Sequence, residues 1–386
     1  MGFFIGRDRE ARRAYGFDEV AIVPGNVTMN PEEVNIVTSI GSVKLEIPFI
    51  ASAMDGVVDV KFAIAMGRAG GLAVLNLDGV QTRYENPAEI LERIAFASPE
   101  EATELVQSVY KEPIKEHLIA QRVKEIKAGG VPAAVSCIPA NAEKFGKLAA
   151  QAGADLFVIQ STVSTAKHVS TRYKSVDFVK FCKDMKIPVI VGNVVTYQAA
   201  LELMETGASA LLIGVGPGAA CTSRGVLGIG VPQVTATIDC AAARDYYFKK
   251  TGRYVAIITD GGMTSGGDIC KAFVSGADAV MVGSAFARTQ EAPGRGFHWG
   301  MATSHHNLPR GTRIHVGVTG SLDEILYGPA RLDDGTQNLV GALTTCMGTV
   351  GAQNLKEFQL AELIIAPDIK HEGKLFQKAQ KIGMCK

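Results

Sequence analysis

Eight short apolar runs, spread along most of the chain and separated by helix-like stretches, constrain the fold more than any other feature. They are residues 47–51, 72–75, 131–135, 156–159, 188–191, 211–213, 255–258 and 279–282. Each is apolar throughout rather than alternating, as in Leu156-Phe157-Val158-Ile159. That is the pattern of parallel strands covered on both faces. Helical candidates such as residues 197–206 and 268–275 lie between them. Three junctions share one theme: Ala152-Gly153-Ala154-Asp155, Thr206-Gly207-Ala208-Ser209 and Ser275-Gly276-Ala277-Asp278. Each puts glycine where a helix ends and then enters a strand. Eight alternating units predict an α/β fold, a (β/α)8 barrel, as a single domain over residues 1–386. A doubly wound sheet leaves the eighth strand and the even spacing unexplained.

The spacing is broken twice. Residues 77–130 carry charged helical stretches at 87–93, 99–110 and 118–128 and read as a helical insertion. Residues 293–319, rich in Gly, His and Pro, follow the eighth run and read as an active-site loop region. Helices resume at 322–326 and 338–346, and the basic tail 367–386 is expected on the surface or at a subunit contact. Lys+Arg and Asp+Glu balance at 39 each, so neither nucleic acid nor a membrane surface is an expected partner. No apolar run approaches membrane-spanning length. The start, Met1-Gly2-Phe3-Phe4-Ile5-Gly6-Arg7, turns charged too early for a signal peptide, and Gly6 stands where myristoylation needs Ser or Thr. Seven cysteines at irregular spacing, without a CxxC pair, fit a reducing cytoplasm rather than a disulfide scaffold or zinc site. A soluble cytoplasmic protein is expected.

Barrels of this type build their active sites at the carboxyl ends of the strands. There the sequence places Ser52-Ala53-Met54-Asp55, Asn76, Ser136-Cys137, Gln160-Ser161-Thr162, Gly192-Asn193, Asp260-Gly261-Gly262 and Gly283-Ser284. Singly, each suits an ordinary turn. The sixth run leads into Gly214-Val215-Gly216-Pro217-Gly218-Ala219-Ala220-Cys221-Thr222-Ser223-Arg224. Glycines let such a loop fold tightly against a ligand. A cysteine among free backbone N–H groups is a candidate thiolate nucleophile. An unpaired cysteine is more often a buried apolar residue. The polar rim around this one argues for chemistry. Turns after the seventh and eighth strands commonly bind phosphate, and the Asp260 carboxylate suits two adjacent hydroxyls. The rim fits a phosphorylated, hydroxyl-bearing small molecule attacked by Cys221.

These motifs occur in order with Gly192-Asn193-Val194-Val195-Thr196, Val231-Pro232-Gln233, Gly266-Gly267-Asp268-Ile269, Met281-Val282-Gly283-Ser284 and Trp299-Gly300-Met301. Together they resemble the IMP dehydrogenase/GMP reductase family over nearly the whole chain. Arg12-Arg13-Ala14-Tyr15-Gly16 and Glu291-Ala292-Pro293-Gly294-Arg295-Gly296 resemble its subfamily without CBS modules, and residues 76–130 are too short for a CBS pair. The resemblance implies that Cys221 attacks C2 of GMP or IMP, with Ser223 and Glu291 as further catalytic residues. It implies nucleotide contacts from Ser52, Met54, Asn193, Gly216 and Gly218. Asp260 would take the ribose, Gly262, Gly283 and Ser284 the phosphate, and Gly300 and Met301 the base edge. Gln160, Ser161 and Thr162 would face the nicotinamide. Carbonyls of Gly216, Gly218 and Cys221 would hold a monovalent cation such as K+, and the subunits would form tetramers or octamers.

Departures from the family pattern bear on direction. The Arg-Tyr pair that activates water in the dehydrogenases is missing from residues 302–312. Losing a general base removes roughly 10²–10⁴-fold of rate. The expectation is therefore a GMP reductase using NADPH, with IMP dehydrogenase using NAD as the alternative and a non-catalytic purine-nucleotide binder as a third. The reductase pattern also has gaps. Ser223 replaces a Thr, and Ser304 stands near the expected Glu, leaving Glu291 and His305-His306 as candidate proton donors. Gln160 replaces an Asp near the nicotinamide, and Ala219 a phosphate-binding Ser. Arg288, Arg295 and Arg310 are candidates for the NADPH 2′-phosphate.

Overall fold

The eight runs form eight parallel strands: Phe49–Ala51, Leu72–Asn76, Ala134–Cys137, Leu156–Gln160, Val189–Val194, Ala210–Ile213, Ala256–Asp260 and Ala279–Val282. The structure is a computed structural model and describes residues 2–171, 175–300 and 313–383. Neighbouring strands pair in chain order and the eighth closes on the first, where Ile50 lies opposite both Met281 and Leu72. This is the expected (β/α)8 barrel. The third strand begins at Ala134 rather than at 131, because Pro132 has no N–H to give a ladder.

Two buried faces explain the unbroken apolar runs. Ile50, Leu72, Val74, Leu156 and Val158 point into the barrel, while Phe49, Ala51, Ala73, Leu75 and Phe157 point outward into the layer beneath the helices. Alternate residues thus serve different cores, and neither face meets water. Ile40, Val43 and Leu45, from the hairpin Thr38–Ile40/Val43–Leu45, join the inner cluster and plug the amino-terminal mouth. Substrate chemistry is left to the other end.

The first helix, α1 (Val60–Arg68), starts on Asp59, whose side chain accepts the Phe62 N–H. Between the second and third strands stand α2 (Pro87–Phe96), α3 (Pro99–Val109) and α4 (Glu116–Ala128). Of these, α4 packs on α1 and on Ala142–Gln151, in the outer ring of the barrel. The added material is therefore α2 and α3. They enclose a separate small core of Val80, Ile90, Leu91, Ile94, Val106, Val109, Tyr110 and Trp299. Among the described residues, no helix is long and apolar enough to cross a membrane.

The repeated Gly-Ala junction has a second function. Gly153 and Gly276 end their helices at φ +96° and +108°, a conformation glycine adopts without a Cβ penalty. The aspartate two residues later then reaches a neighbouring strand: Asp155 accepts the Ala133 N–H and Asp278 the Ile257 N–H. Asp278 also meets Arg244 at 3.1 Å and the Tyr254 hydroxyl at 2.8 Å, with both members of the ion pair buried. Removing one partner of a buried pair strands the other's charge. Asp278→Ala should therefore lower stability by about 3–5 kcal/mol, read from urea unfolding. A change below about 1 kcal/mol would mean the pair is no better than an exposed one.

Candidate active site

The carboxyl ends of the strands open onto a cavity of ≈ 220 Å³. One wall is Asp260, the last residue of the seventh strand. Its Oδ2 accepts from Asn193 Nδ2 at 2.8 Å and from Gln160 Nε2 at 3.1 Å. Gln160 Nε2 also lies 3.2 Å from Asn193 Oδ1, which links the ends of three strands. Asn193 reaches this position because the register against the sixth strand shifts between Gly192 and Val194. The extra residue of such a bulge re-aims its side chain. Burial lifts the Asp260 carboxyl from its usual value to about 6, partly opposed by the Asn193 hydrogen bond.

The opposite wall is the loop carrying Cys221. Gly214 has φ +149° and Gly216 φ +74°. A Cβ on Gly214 would lie 2.4 Å from the Asp260 carbonyl oxygen, so only glycine lets the loop press against the seventh strand. Arg224 fixes the far side, donating Nε to the Val215 carbonyl at 3.1 Å and Nη2 to the Val231 carbonyl at 2.9 Å. Cys221 emerges exposed, its Sγ donating to Ser223 Oγ at 3.3 Å. Cys137 also touches the cavity but is buried, and burial pushes its thiol well above the usual range. Burial likewise lifts Cys182 to about 11. Among the described cysteines, Cys221 alone joins exposure to a place on the cavity wall.

The other anticipated residues divide. Ser52, Met54, Asn193, Gly216, Gly218 and Asp260 line the cavity, as do Ser223, Ser284 and Gly300. Gln160, Ser161 and Thr162 line it too. Gly283 sits just behind, where a Cβ would fall 3.1 Å from Met54 Sδ. Gly262 backs onto Pro217, with a Cβ position 2.9 Å from Pro217 Cβ. The Gly218 carbonyl accepts the Cys221 N–H at 3.0 Å and keeps a second lone pair for a cation. Met301, Ser304, His305, His306 and Arg310 lie outside the described residues. Arg288 and Arg295 are not on the cavity wall.

Glu291 requires a correction. It is exposed, does not line the cavity, and accepts the Leu322 N–H at 2.8 Å. Its carboxylate thus satisfies an orphan donor at the start of the helix Leu322–Leu326, rather than facing a substrate.

His298 was not anticipated. It lines the cavity, is buried, and holds Nε2 3.1 Å from Ser284 Oγ. Its Nδ1 has no hydrogen-bond partner among the described residues. Burial first, and the Arg288 charge second, depress the imidazole to about 4, so it is neutral at pH 7. The sequence held one signal: His298 stands two residues before Gly300, the spacing that puts strand residues on one face.

An exposed thiol with a hydroxyl at hand thus faces a carboxylate able to accept two hydroxyls. A hydroxyl–imidazole pair lies beside them. The set suits covalent addition of sulfur to an electrophilic carbon of a polar, hydroxyl-bearing ligand.

Residues 14–368 match the family described as the IMP dehydrogenase / GMP reductase domain. An oxidoreductase of Mycolicibacterium smegmatis, itself described as uncharacterised, is 39% identical across 94% of this chain and 99% of the relative. The inosine-5′-monophosphate dehydrogenase of Cryptosporidium parvum is 30% identical across 88% of this chain and 89% of its own. The crystal structure of an IMP dehydrogenase/GMP reductase-like protein from Corynebacterium glutamicum superposes with a TM-score of 0.89 at 34% identity, covering 95% of this chain and 98% of that one.

Proposed function

This chain belongs to the IMP dehydrogenase/GMP reductase family of oxidoreductases, and we propose that within it the chain oxidises IMP to XMP through a covalent bond from Cys221 to purine C2. The observation that carries this direction is the position of the carboxylates. Deamination of GMP needs an acid to protonate departing ammonia; of the candidate donors, Glu291 is turned away from the cavity, and His305 and His306 lie outside the described residues. Of the described carboxylates that line it, Asp78 is committed to the Ile138 N–H and the Asn141 amide, and Asp260 stands at the hydroxyl-binding wall. The Cryptosporidium parvum relative is itself an IMP dehydrogenase.

The Cys221 thiolate adds to C2 of IMP, and the C2 hydrogen leaves as hydride. Bound NAD⁺, against the wall of Gln160, Ser161 and Thr162, would supply the hydride acceptor. The purine is left joined to Cys221 as a thioimidate. Water then adds at C2 and the thiolate departs, so IMP, NAD⁺ and water give XMP, NADH and a proton. Ser223, hydrogen-bonded to Cys221, orients the thiol. Ser284 and His298 meet the phosphate, while Asp260 holds the ribose. A cation such as K⁺ on the carbonyls of Gly216, Gly218 and Cys221, and a ring of four or eight subunits, complete the proposal.

A second reading, GMP reductase with NADPH, is favoured by one feature: residues 302–312 carry no Arg-Tyr pair to activate water. In that direction GMP loses ammonia to form the same adduct, and hydride from NADPH releases IMP. Assays with IMP plus NAD⁺, and separately GMP plus NADPH, distinguish the two by product. We expect XMP and NADH from the first. GMP-dependent loss of NADPH with formation of IMP, and no NADH from IMP, would reverse the assignment. Binding of IMP without turnover in either direction would leave a nucleotide-binding protein.

A further inference from the structure

We propose that Tyr110 is a positioning residue that ties together two walls of the purine site, a role that rests on the nucleotide reading above. Strand alternation in Phe297–Trp299 turns His298 and Gly300 to the cavity and Trp299 to the opposite side. Trp299, the only tryptophan in the chain, is fully buried among Val80, Ile94, Val106 and Val109 in the small core of the inserted helices. Its Nε1 donates to the Tyr110 hydroxyl at 2.8 Å. That hydroxyl donates in turn to Asp55 Oδ2 at 2.7 Å, and the same oxygen accepts the Val80 N–H at 2.6 Å. Asp55 directly follows Met54 and Trp299 directly precedes Gly300, and both of those neighbours line the cavity. One phenol, itself off the cavity wall, thus bridges the segment after the first strand and the ribbon that carries His298 to the cavity.

The other strand of this ribbon is held from the same side. Arg313 pairs opposite Trp299 and lies over the Phe297 ring, 4.3 Å from its centre. Its guanidinium donates to the Ala95 carbonyl at 3.2 Å and the Ala97 carbonyl at 2.9 Å, at the carboxyl end of α2. A cation there meets both unpaired carbonyls and the negative end of the helix dipole. The inserted helices α2 and α3 therefore brace two site-forming segments without lining the cavity. The Tyr110 hydroxyl links both by hydrogen bonds, accepting from the indole while donating to the carboxylate.

The test uses the full chain with IMP as probe. Tyr110→Phe keeps the ring and its packing and removes only the junction. We expect IMP to bind roughly ten-fold more weakly by calorimetry, the scale of a lost hydrogen bond to a charged acceptor. Emission from Trp299 should shift in the free protein. Val106→Ala, which loosens the same small core away from the hydroxyl, should lower the melting temperature while leaving IMP affinity within about two-fold, as for a site not coupled to binding. IMP affinity unchanged in Tyr110→Phe, or reduced equally in Val106→Ala, would overturn the proposal. A wild-type chain that fails to bind IMP at all would instead refute the purine reading on which it rests.

Discussion

Cys221→Ser is expected to abolish turnover, a loss of roughly 10³-fold or more, with IMP affinity nearly unchanged. Serine fills almost the same space and keeps a donor for Ser223 Oγ, which the cysteine meets at 3.3 Å. The loop geometry set by Gly214, Gly216 and Arg224 does not involve the sulfur. What disappears is a sulfur nucleophile that attacks carbon readily; an alcohol does so only with a strong base beside it. Steady-state rates and calorimetric affinities on the same preparation measure the two effects separately. A companion measurement is the intact mass of the wild-type chain quenched during turnover, which should show one purine adduct at Cys221. Substantial activity in the serine variant would exclude the covalent route.

The thiol's exposed place on the cavity wall was legible in the sequence because its setting is built from residues with few conformational alternatives. Gly214 and Gly216 sit at positive φ, and such positions declare themselves as glycine. The barrel was legible for a related reason. Phe49 and Ala51 serve one core and Ile50 the other, so the run has no polar position to blur it. The third strand was misplaced by three residues because apolar content outweighed Pro132, whose missing N–H decides where pairing begins.

The residues that were misjudged or missed act through partners far away in the chain. Glu291 stands near a recognisable motif, yet its carboxylate serves Leu322, 31 positions later. His298 acquires its role from Ser284, and Tyr110 from Trp299, 189 positions away. Nothing local distinguishes such a histidine or tyrosine from an ordinary core residue. Only folding brings the two ends of each hydrogen bond together. Asn193 is intermediate: its place after a strand was visible, but its aim at Asp260 depends on a register shift that the sequence does not mark.

Asp260→Ala should weaken IMP binding by roughly 10²-fold, since two hydrogen bonds to a charged acceptor are lost. In the free protein Asn193 and Gln160 both donate to Oδ2, while Oδ1 has no donor among the described residues. The wall is therefore already shaped to accept a second pair of donors. Protonation gives a distinct signature. The folded carboxyl titrates at about 6 rather than at 3.8, so the free fold holds this proton more tightly than the unfolded chain does. Its contribution to stability is full below the unfolded value and is lost as pH rises through about 6. Ligand binding has the opposite sign, because hydroxyls donate to the ionised form. IMP affinity should rise with pH up to about 6 and level off above it. His298, depressed to about 4, stays neutral throughout this window and adds no slope. The ligand's own phosphate also titrates near 6, so the comparison requires Asp260→Asn. That variant keeps a carbonyl acceptor but has no proton to lose, and whatever slope it retains belongs to the phosphate. A wild-type profile no steeper than that of Asp260→Asn would place the ribose away from this carboxylate.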